Sequence, residues 1–215
     1  MEGQFKLVWL GHACFKIVTY SGRIIYLDPY KVSKDEEKAD IIVSSHTHGD
    51  HFSKSDIKKL WKEETILLGP ESIASSLKDF KGQSLKIGEV FNYKDFSIEL
   101  FPAYTIKKPT HPKSNGWTGT IIESAGKSIY HAGDTERIPE MKTLAKRKIT
   151  VALLPCGGTY TMDFEEASDA AIDIQPQIVV PMHNWDKDLK EFEKIMNRKD
   201  SNIKVEILEN KTLTI

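Results

Sequence analysis

Ile41-Ile42-Val43-Ser44-Ser45-His46-Thr47-His48-Gly49-Asp50-His51 is the stretch that decides how this 215-residue chain reads. Ile41–Ser45 predicts a buried strand, and it runs straight into three histidines and an aspartate within six positions. A strand that ends in a loop projects alternate side chains to one side, so His46 and His48 face one point. Asp50 and His51 follow from the same rim into a predicted helix from about Lys54 to Trp61, where Ser53 and Asp56 have capping-box spacing. Imidazole with carboxylate suits zinc, iron or manganese; calcium and magnesium prefer all-oxygen shells. With only 7 histidines in the chain, this run signals a metal site rather than a solvated polar loop.

Working outward, β-type runs precede it: Phe5–Leu10, Cys14–Val18 and Ile24–Leu27, separated by Gly11 and a Ser21-Gly22 turn. Lys31–Asp40 reads as a charged loop or short helix. After the motif come a strand at Ile66–Leu68 and a helix from Pro70 to about Phe80. From Leu85 to Tyr104 the pattern is β again, with Phe96, Ile98 and Leu100 alternating against Ser97 and Glu99. Thr105–Trp117, with Pro109, Pro112 and Gly116, is a long loop. A hairpin follows through Ala125-Gly126, then a helix around Ile138–Arg147 and a strand at Val151–Pro155. A helix opened by Asp163 and Glu166, a strand at Ile178–Pro181 and a helix capped by Asp186 come next. Val205–Leu208 and Thr212–Ile215 are expected to close the sheet. The order is β-rich then α/β, twice over, which predicts one α/β domain over residues 1–215 made of two similar halves.

Composition narrows the class. Thirty basic against 31 acidic residues leave a formal charge of -1, so no long-range field points to nucleic acid or an anionic membrane. No apolar run approaches the ~18 residues of a membrane helix. Glu2 stands where an export leader would be basic, and the two cysteines, Cys14 and Cys156, suit a reducing compartment. A cytoplasmic protein with a small-molecule substrate is the expectation, with a homo-oligomer left open.

The run His-x-His-x-Asp-His after a buried strand resembles the hallmark of the metallo-β-lactamase superfamily, and further motifs follow in order. Asp28 in Leu27-Asp28-Pro29 matches an aspartate that ends an early strand. Asp134 in Ala132-Gly133-Asp134-Thr135 matches the carboxylate that bridges two metals, and His183 in Pro181-Met182-His183-Asn184 matches the last histidine. Leu10-Gly11-His12-Ala13 and Leu154-Pro155-Cys156-Gly157-Gly158 resemble the small single-domain branch that includes ascorbate-6-phosphate lactonases. The resemblance implies a four-layer αβ/βα sandwich with its site at one rim.

It also implies a set of roles. His46 and His48 hold a first divalent metal, Asp50, His51 and His183 a second, and Asp134 both. Zinc is the first choice, with manganese, iron or nickel as alternatives. A hydroxide shared by the two ions attacks an ester, lactone or phosphoester, and Asp50 accepts its proton. Asp28 either orients a ligand histidine or simply ends its strand. His12 and His131 lie near the site in the resembled family and are candidates for substrate or leaving-group contact, with a buried hydrogen-bonded histidine as the default reading of each.

Many relatives place a histidine after the strand that here ends Phe101-Pro102-Ala103-Tyr104. This chain has Thr105 there, and His111 is the residue positioned to fold back as third ligand of the first metal. Lys107, Lys108 and Lys113 in the same loop read first as a solvated surface, with contact to an anionic substrate as the alternative. Tyr160, Trp117 and Trp185 are candidate pocket walls; Cys156 reads as core. Nuclease action on RNA or DNA, and a non-hydrolytic metal or redox role, are the competing functions; the first lacks a basic stripe and the second lacks room for a flavin domain.

Overall fold

A computed structural model describes residues 4–215; Glu2, used in the leader reading, lies outside them. Fourteen strands form among these residues. β1 (Lys6–Gly11), β2 (Cys14–Val18), β3 (Ile24–Leu27), β4 (Ile41–Val43), β5 (Ile66–Pro70) and β6 (Gln83–Leu85) fill the first part of the chain. β7 (Val90–Tyr93), β8 (Phe96–Pro102), β9 (Thr118–Ser124), β10 (Lys127–His131), β11 (Val151–Pro155), β12 (Ile178–Met182), β13 (Lys204–Val205) and β14 (Thr212–Thr214) follow. They form two seven-stranded sheets, ordered β14-β1-β2-β3-β4-β5-β6 and β13-β12-β11-β10-β9-β8-β7. In each sheet an antiparallel meander feeds a parallel run: β3 through β6 in the first, β10 through β13 in the second.

Period-two alternation explains the layers. Ile25, Leu27, Ile41 and Val43 of the first sheet meet Ile129, Val151, Leu153 and Val180 of the second in a shared inner core. The intervening residues point outward. Tyr26, Ile42 and Leu67 receive Ile57 and Leu60 of helix α1 (Lys54–Leu60). After the short α2 (Ala74–Leu77), α3 (Phe164–Ile174) and α4 (Leu189–Lys199) cover the outer face of the second sheet. There Ala167, Ala170, Phe192 and Met196 pack on Ala152, Leu154 and Val179. The result is the four-layer αβ/βα sandwich, and parallel strands buried on both faces account for the near-continuous apolar runs Ile41–Val43 and Val151–Leu154.

Local departures from the sequence reading have local causes. Lys31–Asp40 contains no helix, and Glu71–Phe80 breaks into two 3₁₀ turns flanking α2. Pro70 closes β5 instead of entering a helix. Pro139–Arg147 is 3₁₀ throughout, packed through Met141 and Leu144. α4 is capped by Asp188, whose side chain accepts from the Lys190 amide, and not by Asp186. Residues 183, 185 and 186 are in the left-handed region (φ 50°, 49° and 60°), so the helix starts only after that turn is complete. No helix among the described residues is long and apolar enough to cross a membrane.

Candidate metal centre

The site residues gather at the carboxyl ends of the parallel strands, where ligands collect in open α/β sheets. β4 delivers His46 through His51, β10 delivers Asp134 and β12 delivers His183. Loop 105–117, which follows β8, delivers His111. Three groups of donor atoms each lie within 4.8 Å of one another: His46, His48 and His111; His46, His51 and Asp134; and His12, Asp50, His51 and His183.

Asp134 stands between them. Its Oδ1 lies 3.3 Å from His51 Nε2 and 3.4 Å from His183 Nε2, while its Oδ2 lies 3.1 Å from His111 Nε2. Each carboxylate oxygen thus faces a different histidine group, the arrangement a ligand shared by two cations requires. Burial opposes its charge, but His51 and His183 outweigh it and hold the carboxyl well below its ordinary range. Gly133 (φ 64°) makes this turn possible: a Cβ there would lie 2.8 Å from the Thr118 carbonyl oxygen.

Beneath the cluster, Asp28 ties two ligand candidates together. It is buried at the end of β3 with φ 45°, next to β4 through the parallel pair Leu27↔Val43. It accepts hydrogen bonds from His51 Nδ1 (2.7 Å), the Ser45 amide (2.7 Å) and Ser45 Oγ (2.6 Å). Because Ser45 Oγ donates to Asp28, it is left to accept from His46 Nδ1 at 2.8 Å. Both histidines thereby engage Nδ1 beneath the cluster and turn Nε2 towards it. Of the two roles the sequence left open for Asp28, orientation of a histidine is the one its contacts describe. Ser45 was missed; its only signal was adjacency to His46.

Loop 105–117 is held by residues distant in sequence. The Thr105 amide donates to the His111 carbonyl at 2.7 Å, and Thr105 Oγ1 donates to the Lys108 carbonyl. Buried Glu136, two residues beyond Asp134, accepts from the amides of Ile106 and Lys107 at 2.5 and 2.7 Å. Thr105, three residues after β8, closes the loop that brings His111 in. Trp117 backs the first group, its ring 4.7 Å from His46, 4.8 Å from His48 and 5.4 Å from His111.

Three expectations are corrected. His131 is buried in the core; its Nε2 donates to the Ala13 carbonyl and its Nδ1 accepts from the Gly133 amide. Neither nitrogen is left for a substrate. Lys108 pairs with Glu136 and donates to the Thr161 carbonyl, and Lys113 pairs with Glu140 and the Tyr104 hydroxyl, so neither is a free anion receptor. By contrast His12 reaches the site, with Nε2 2.9 Å from Asp50 Oδ2 and its ring centroid 3.8 Å from that of His183. Cys156 lies in the core, where burial pushes its thiol up to about 12, far from a reactive thiolate.

Whether this cluster suits metal ions is answered by its unmet polar atoms. His51 Nε2, both ring nitrogens of His111 and His183, and Asp134 Oδ1 are buried without a hydrogen-bond partner. Buried polar atoms are rarely left so, and several converging on one point fit divalent cations. A cavity of about 150 Å³ opens above them, lined by five of the candidate ligands with Thr110, Tyr160 and Trp185.

Known proteins resemble this chain over most of its length. Residues 6–183 match the model of the beta-lactamase superfamily domain. A UPF0173 protein of Pyrococcus furiosus is 34% identical over 203 residues, covering 90% of this chain and 91% of its own length. A UPF0173 metal-dependent hydrolase of Carboxydothermus hydrogenoformans is 31% identical, covering 83% and 84%. The solved structure of Igni18, a metallo hydrolase from Ignicoccus hospitalis, is 29% identical with a TM-score of 0.82, covering 99% and 98%. With its two-sheet sandwich and its His/Asp rim, the chain belongs to the beta-lactamase superfamily domain family, among the UPF0173 proteins.

Proposed function

We propose that this chain is a metal-dependent hydrolase that uses two divalent cations, zinc foremost, to cleave a small ester, lactone or phosphoester. One observation supports it above the others: buried histidine nitrogens and an aspartate oxygen converge without partners, and the two oxygens of Asp134 face different histidine groups. His46, His48 and His111 would hold one ion, and Asp50, His51 and His183 the other, with Asp134 common to both. When bound, such ions acidify water towards neutral pH and polarise the oxygen of the scissile group.

The chain's own residues supply the rest. Asp28 and Ser45 hold the rings of His51 and His46, so no ligand has to reorient during a catalytic cycle. Asp50, half-buried at the cavity floor, takes up the proton that water releases. His12, with Nε2 2.9 Å from Asp50 Oδ2, holds that carboxylate in place.

The experiment is elemental analysis of the metal-replete protein together with a panel of lactone, ester, thioester and phosphodiester substrates. The expected result is more than one equivalent of metal and turnover of one class. Asp50→Ala should lower that turnover by about 10²–10⁴-fold with an unchanged circular dichroism spectrum. A metal-replete protein inert to the whole panel, or Asp50→Ala at wild-type rate, would overturn the reading.

A further inference from the structure

The cavity above the cluster, about 150 Å³, is comparable to one that accepts a single benzene ring. The reacting group and its surroundings fill it, and the rest of any substrate must emerge at the mouth. Two aromatic side chains stand there, Tyr160 at 43% and Trp185 at 47% exposure. Among the described residues they are the only aromatics in the set of exposed large hydrophobic side chains. Their ring centroids are 6.0 Å apart at 65°, forming a corner.

Trp185 is exposed yet positioned. Its φ of 49° is uncommon for a bulky residue and costs stability, so its place is over-determined by its surroundings. The indole stands edge-on against His183 (5.3 Å) and His12 (5.4 Å). Gly157 makes room for it: a Cβ there would lie 2.2 Å from indole Cδ1. No lysine or arginine lines this cavity, and Lys108 and Lys113 are engaged by Glu136 and Glu140.

We propose that Trp185 and Tyr160 determine specificity, holding a flat, uncharged ring of the substrate beside the scissile group. This rests on the hydrolase reading above and narrows it to substrates that carry an aromatic or other flat ring next to the scissile group. A flat ring gains dispersion and edge-to-face contact from such a corner, while the scissile group beside it faces the proposed ions.

The test compares benzohydroxamate with acetohydroxamate binding to the zinc-loaded protein by calorimetry, since both present the same metal-chelating group. The wild type should favour the aromatic ligand by about tenfold. Trp185→Ala should bring that ratio to within about twofold at unchanged zinc content, and Trp185→Phe should restore most of it. If the alanine variant does not retain zinc, Tyr160→Ala provides the comparison and should also reduce the ratio. A preference that survives both substitutions overturns the aromatic corner. Failure of acetohydroxamate to bind the wild type would instead overturn the metal-centre reading on which the corner rests.

Discussion

Asp28 shows how one buried carboxylate can set the chemistry of groups it does not share a ligand sphere with. Three donors converge on it, from His51 Nδ1, the Ser45 amide and Ser45 Oγ, all within 2.7 Å. Asn at this position keeps the shape but offers one acceptor oxygen and adds two N–H donors, which face donors already present. Asp28→Asn should therefore let the His51 ring turn, weakening the second metal by about 10–100-fold. Titration of each metal against a chelator, with circular dichroism to check the fold, measures this. Equal metal affinity in wild type and variant would show that the His51 ring is held by packing alone. In the sequence Asp28 reads either as an orienting carboxylate or as a strand-ending residue before Pro29, and nothing there decides between them. Its partner becomes apparent only once β3 is known to lie parallel to β4. His46 to His51 were legible for the opposite reason: their convergence is written into six consecutive positions after one strand.

At the scale of the element, the loop after β8 has the most to explain, because it replaces an expected ligand with a longer route to the same place. His111 stood out in the sequence as the only histidine in that loop. What closes the loop did not, since Glu136 lies about thirty positions from the amides it accepts. The same blind spot made Lys108 look like a free cation; its partner arrives from the segment after β10. Glu136→Ala removes the buried acceptor that ties down two successive backbone amides of the loop and the Lys108 ammonium, so the loop should open and His111 withdraw. The expected outcome is loss of about tenfold or more in affinity for the first metal with the second unchanged. Glu136→Gln, which keeps one carbonyl oxygen in place, should behave nearly as wild type. Metal titration of both variants beside His111→Ala separates the possibilities. If His111→Ala keeps both metals, His111 is no ligand; if only Glu136→Ala keeps them, the clamp is not needed.

For the whole molecule, the position of the site relative to the two sheets carries an energetic consequence. His46, His48, Asp50 and His51 leave the first sheet after β4, whereas His111, Asp134 and His183 leave the second after β8, β10 and β12. Ions held by this set would join both sheets at one rim, and an unfolded chain has no comparable site. Binding to the folded state alone stabilises it by RT ln(1 + [L]/Kd), about 4 kcal/mol per site at a thousandfold excess over Kd. For a domain of this size each kcal/mol moves the midpoint by about 2–4 °C, so each occupied site should raise Tm by about 8–16 °C. Thermal unfolding of chelator-treated and zinc-loaded protein should show that gap, and His183→Ala should retain the first site's share while losing the second's. Asp134→Ala should remove most of the gap, because the carboxylate facing both groups is gone and neither histidine set is complete without it. An Asp134→Ala protein that still gains the full zinc-dependent shift would mean that the sheets are joined by ions that do not share Asp134, and the two-metal arrangement would have to be redrawn around the remaining histidines.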